Sequence, residues 1–208
     1  MTSSGRTWRS TGSDIERTST ANSHAPVIGR AVGLAVLLVL TLKVLGQGLA
    51  MAQGGVLGFL HGVNLVFHEA GHVIFGFFGE FMGIAGGSLN QVLIPVVATI
   101  ALLRTRQHAS AAATLFWTGQ SLADVAVYAA DGRAMALPLL AEGLIHDWNW
   151  ILSRVGLLGS AETIGRLMFG LGALTMLAAL GLLALDLLAK WKEVSEGRVD
   201  SDGAPRVK

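Results

Sequence analysis

Lipid leaves a polypeptide few choices. In the hydrocarbon of a bilayer every backbone N–H and C=O must be paired within the protein, so only helices and closed barrels cross it. A crossing helix needs about 20 mainly apolar residues. This chain carries five apolar stretches near that length, at about Val27–Met51, Gly54–Phe78, Gly86–Leu103, Ala109–Ala130 and Ile164–Ala189. The expected fold is all-α: a polytopic helical membrane protein with about five transmembrane helices and one short interfacial helix.

Composition narrows the functions. Charged residues make up 14% of the chain, against roughly 25% in a typical soluble domain. The net charge is +1, so no basic face for nucleic acid is implied. Cysteine is absent, which removes disulfides, thiolate nucleophiles and thiolate metal ligands. Any transition metal must be held by His and carboxylate. Most of the 27 glycines fall inside the apolar runs, where small residues let helix backbones approach closely.

Residues 1–26 are rich in Ser, Thr, Gly and Arg and read as a disordered polar tail without the apolar core of a signal peptide. Residues 190–208 read as a solvated charged tail. Residues 27–189 form the transmembrane helical domain. Within it Asp131-Gly132 reads as a turn and Pro138 interrupts the next apolar piece. Leu144, Ile145, Trp148, Ile151, Leu152 and Val155 then recur at helical spacing. They describe a short helix at the membrane surface or dipping partly inward, with Trp148 and Trp150 at headgroup level. Gly86-Gly87-Ser88-Leu89-Asn90-Gln91 reads as a Gly-rich loop entering the third span, or as a re-entrant element.

Cation placement pulls two ways. Arg104 and Arg106 after the third span, and Lys190 and Lys192 after the fifth, favour the cytoplasm for both places. Arg30 and the arginines before it then fall on the other side of a five-span chain. The short loop and the C-terminal end carry more weight.

The second span holds the exception to apolarity: His61, Asn64, His68, Glu69 and His72. A charge at the bilayer centre costs roughly 2.5–3.5 kcal/mol even on the lenient insertion scale. Positions 61, 64, 68 and 72 share a helical stripe. His68-Glu69-Ala70-Gly71-His72 is H-E-x-x-H, in which two imidazoles one turn apart can grip one ion. The Glu beside them can serve as general base toward water. Zinc suits this set, because it lowers the pKa of its water to about 7. His61 reads as a hydrogen-bonding or interfacial residue rather than a ligand.

Zinc hydrolases keep three protein ligands and one open position. At 1.5 Å per residue, His68 lies about 21 Å into the second span, and Asp124 lies nearly as deep in the fourth. Gln120, Asp124, Tyr128 and Asp131 share one helix face. Asp124 is therefore the first candidate for the third ligand and Asp131 the second. His146 and Asp147 follow, should the short helix fold back over the site. Asp131 or Asp147 also suits an orienting role. Asn64, Gln120 and Tyr128 suit hydrogen-bonding or substrate-facing roles, and a phenol near the metal can stabilise an oxyanion.

An H-E-x-x-H helix within a membrane span, followed by a later span with an Asp, resembles the site-2 protease family of intramembrane zinc metalloproteases. The string Asn64-Leu65-Val66-Phe67-His68-Glu69-Ala70-Gly71-His72 is similar to that family's first catalytic helix. The resemblance implies that His68 and His72 hold zinc with an Asp from a later helix, and that Glu69 activates water. The family's Asp sits in an Asn-x-x-Pro…Asp-Gly setting. Here Asp131-Gly132-Arg133 looks like the Asp-Gly part, but no Asn-x-x-Pro precedes it, so Asp131 and Asp124 compete. The resemblance covers the second to fourth spans, and the remaining length holds no PDZ-like or CBS-like domain.

The expected function is an integral-membrane zinc metallopeptidase with one Zn2+. It would act on a membrane protein or peptide in or near the bilayer, with membrane lipid as its other partner and no nucleic acid. The alternatives are a proton or divalent-cation transporter, a non-catalytic metal-binding scaffold, and a lipid hydrolase with the same machinery. No inverted repeat supports the transporter.

Overall fold

The computed structural model describes residues 12–50, 54–139 and 143–196, with side chains from His24 onward. Every regular element among them is helical: α1 (Gly12–Gln47), α2 (Gly55–Gly76), α3 (Glu80–Arg104), α4 (His108–Asp131), α5 (Asp147–Arg154) and α6 (Ala161–Ser195). The five long helices lie where the apolar stretches were expected, and α5 is the short helix expected after Pro138. Helix reaches further at both ends than composition suggested. α1 begins at Gly12, inside the stretch expected as a tail. α6 continues to Ser195 because Lys190–Glu193 and Lys192–Glu196 pairs, one turn apart, support its last turns. The rest of the two expected tails, residues 1–11 and 197–208, lies outside the described residues.

Among the described residues, three stretches are long and apolar enough to cross a membrane: His24–Gln47, Glu80–Arg104 and Leu158–Ser195. α2 carries some of the polar residues of the site, and α4 carries others. α4 is the centre of the bundle, buried along Ala111, Phe116, Gln120, Ser121, Ala123 and Ala126. α6 packs along one side of it and α3 along another, while α1 lies on α6. Leu37 and Val44 of α1, Phe116 and Ala123 of α4, and Met176, Ala179 and Leu183 of α6 form the dry core.

The contacts also fix directions. α3 and α4 run antiparallel, with Thr99 bonded to Thr114 at 2.9 Å and Gln91 to Asp124 at 2.9 Å. α2 runs antiparallel to α3 near its end, where Asn90 Nδ2 donates to Phe67 O at 2.7 Å and His72 meets Gly83. Against α4 the order is reversed from that of an upright neighbour. His61 meets Asp124, Asn64 meets Gln120, and Phe67 packs on Trp117 with ring centroids 5.4 Å apart. Advancing along α2 means retreating along α4, so α2 lies aslant to the bundle axis rather than along it.

Gly86–Gln91 is neither a loop nor a re-entrant element, because it lies inside α3. The glycines serve approach rather than irregularity. A Cβ on Gly86 would lie 2.6 Å from Gly71 O and 2.5 Å from Phe75 Cβ. The tight α2–α3 turn instead bends at Gly79, whose φ of 101° only glycine adopts easily.

Candidate metal centre

His68, Glu69 and His72 offer ligand atoms that all lie within 4.8 Å of one another, so this group can hold a metal ion. One turn of α2 brings the two imidazoles together, with ring centroids 4.8 Å apart. Glu69 is exposed toward a cavity of about 530 Å³ that His61, Asp124, Tyr128 and His146 also line. The wall of α3 behind the imidazoles is Gly87. A Cβ there would lie 2.5 Å from His68 Nε2 and 2.7 Å from His72 Nε2. Glycine at that position leaves the space into which both nitrogens point.

Hydrogen bonding decides what those nitrogens present. The carboxylate of Asp124 only accepts, so Gln91 must turn its NH2 toward it, at 2.9 Å from Oδ2. Gln91 Oε1 then faces His68 Nδ1 at 3.2 Å, and that nitrogen must be the donor. His72 Nδ1 donates in the same way to Gly83 O at 2.8 Å. When neutral, both imidazoles therefore direct a bare Nε2 into the site, the arrangement in which outer oxygen acceptors orient metal-binding histidines. The same logic anchors the network further out. Trp117 Nε1, a donor only, gives its proton to Asn64 Oδ1 at 2.9 Å. Asn64 Nδ2 is thereby aimed at Gln120 Oε1, 2.9 Å away, and Asp124 Oδ2, 3.2 Å away.

The carboxylate facing the two Nε2 atoms is Asp147. Its Oδ2 lies 2.9 Å from His68 Nε2 and 3.3 Å from His72 Nε2. Two bare nitrogens and a carboxylate oxygen repel unless a positive charge lies among them, whether a proton or a metal cation. Burial alone would raise the pKa of Asp147. Nε2–H donation from His68 and His72 in their protonated form outweighs that and holds its carboxyl below the ordinary carboxylate range.

Asp147 opens α5, and α5 is tied down at several points. His146 caps it by accepting from Asn149 N at 3.3 Å, and its Nε2 faces Asp131 Oδ2 at 3.3 Å. Asn149 Nδ2 donates to Gly132 O at 2.8 Å, and Trp148 Nε1 to Ser88 Oγ at 3.1 Å.

The other candidates thus occupy different places. Asp124 touches neither Nε2. It sits on the Nδ1 side of His68, behind Gln91, and bonds His61 Nδ1 at 2.9 Å. Counting depth brought it to the right neighbourhood, but that count took α2 as upright. Asp131 accepts from Ala136 N and Leu137 N at 3.0 Å each, which is the work of a turn residue. Gln120 meets Asn64 as a helix–helix contact. Tyr128 lies between the His61 and His146 rings on the cavity wall, with centroids 6.1 and 6.2 Å away. Gln91 and the Gly83 carbonyl were not foreseen as orienting groups. Gln91 carried a signal of the kind Asn64 did, being an amide inside an apolar span.

No family model, curated protein or solved structure matches this chain.

Proposed function

We propose that the chain is an integral-membrane zinc-dependent peptidase that cleaves peptide bonds in or near the bilayer. One observation carries the reading. Two imidazoles with oxygen-fixed Nδ1 atoms aim both Nε2 atoms at one carboxylate, beside an exposed glutamate on a cavity wall. His68, His72 and Asp147 would hold zinc, a two-nitrogen, one-oxygen set that fits a hydrolytic zinc site with an open position. When bound, zinc supplies a Lewis acid and an ionisable water near neutral pH.

The chain's own residues do the rest. Glu69 takes the proton of the attacking water and returns it to the departing amine. The Gln91–Asp124 pair keeps His68 in the tautomer that leaves Nε2 free, and Gly83 O does the same for His72. The mixed lining of the cavity, with Leu65, Ile84 and Leu144 beside the polar groups, suits an extended apolar peptide segment. The resemblance to site-2 proteases at Asn64–His72 agrees with this chemistry.

Glu69→Gln tests it. The variant should keep stoichiometric zinc and lose peptide hydrolysis by about 10²–10⁴-fold, the range of a positioned general base. Unchanged hydrolysis would remove Glu69 from the chemistry. Zinc-dependent ion flux into vesicles, with no cleavage by either protein, would favour a transporter.

A further inference from the structure

The bundle has two ends, and contacts say which segments meet at each. Arg30 Nε donates to Asp186 Oδ2 at 2.6 Å, and His108 Nδ1 lies 3.6 Å from Asp186 Oδ1. The early part of α1, the start of α4 and the late part of α6 therefore share one end. Arg104 and Arg106, which immediately precede His108, belong to it as well. At the other end Gln47 and Gly48, just where α1 stops, line a small cavity with Leu57 of α2, Val127 of α4 and Phe169 of α6. The far terminus of α2 returns to that same end. His72 bonds Gly83 near the start of α3, and Asp147 and Trp148 join α2 to the end of α4 at Gly132. A helix whose two termini lie at one end of the bundle does not cross it.

We propose that only α1, α3, α4 and α6 cross the membrane, that α2 and α5 sit in one leaflet, and that the Arg30–His108–Asp186 end faces the anionic cytoplasmic leaflet. The metal centre then opens toward the opposite side. The consequence for access rests on the peptidase reading; the topology does not.

Charge carries the orientation. Among the described residues, Lys43, Arg133, Arg154 and Arg166 lie on segments at the metal-centre end. Arg17, Arg30, Arg104, Arg106, Lys190 and Lys192 lie on segments at the Asp186 end. Cytoplasmic flanks are the ones that carry excess Lys and Arg, and anionic headgroups there attract them. A five-span chain sets Arg30 against Arg104 and Lys190. Removing one crossing puts all three on the same face, and the conflict disappears. The exposed Phe77 and Phe78 at the α2–α3 turn agree with a turn that settles among lipid at the other face.

The absence of cysteine makes the test direct. Single Ala50→Cys, Glu80→Cys and Gln107→Cys variants are exposed to a membrane-impermeant maleimide in intact cells and again after permeabilisation. Ala50→Cys and Glu80→Cys should both label in intact cells, and Gln107→Cys only after permeabilisation. Labelling of Ala50→Cys and Glu80→Cys from opposite sides would restore α2 as a crossing helix and overturn the proposal. Labelling of Gln107→Cys in intact cells would overturn the orientation. A reporter active only outside the cytoplasm, fused after Lys208, provides an independent reading. It should stay silent, and an active fusion contradicts the proposal. Neither readout depends on zinc or hydrolysis, so each can fail while the peptidase reading stands.

Discussion

The α2–α3 and α4–α6 crossings are closed by the same device. At α4–α6 a Cβ on Gly119 would lie 2.6 Å from Gly172 O, and one on Gly172 would lie 2.6 Å from Gly119 O. At α2–α3 Gly71 and Gly86 meet backbone to backbone in the same reciprocal way. The side chains around them differ. Gly119 also touches Met176, which is fully buried in the dry core. Next to Gly86 stands Gly87, and what it faces is two imidazole nitrogens. One close approach seals a core, and the other clears a polar pocket. Small residues alone therefore do not mark function in a helical bundle; what the cleared space is aimed at does.

Alanine substitution separates the two. Gly87→Ala should have the larger effect. Its methyl would enter the space between His68 Nε2 and His72 Nε2, so zinc binding and hydrolysis should be lost while helix content by circular dichroism is unchanged. Retention of stoichiometric zinc would show that the space beside Gly87 is not where the ion sits. Gly172→Ala should leave zinc in place and lower stability. Overpacking costs about 1–3 kcal/mol, more than the ~1 kcal/mol that alanine gains over glycine within a helix. Unfolding in detergent should show it as a lowered midpoint. A loss of zinc in this variant, with the fold intact, would mean that the two crossings are coupled.

Much of this was legible because it follows from local rules. The apolar stretches gave the long helices, and the spacing from Leu144 to Val155 gave α5. The cost of burying charge singled out His68, Glu69 and His72 before any partner was known. What stayed hidden depends on angles. Asp147, with His146, stood behind Asp124 and Asp131 because its part depended on the short helix folding back over the site. α2 is not upright, and its tilt carries His72 to the end where α5 docks. Asp124 ranked first on depth alone, and depth does not reveal that Gln91 stands between. Gly86 and Gly87 looked like a loop because glycine has low helix propensity. Tertiary packing overrides that preference where two backbones must touch.

Metal content compared between Asp147→Ala and Asp124→Ala tests the centre most directly. Both proteins are purified, dialysed against a mild chelator and measured for zinc by mass spectrometry. Asp147→Ala should come out without zinc. Asp124→Ala should keep it with affinity weakened about 10–100-fold, the cost of losing an orienting partner. Zinc retained in Asp147→Ala and lost from Asp124→Ala would contradict the assignment.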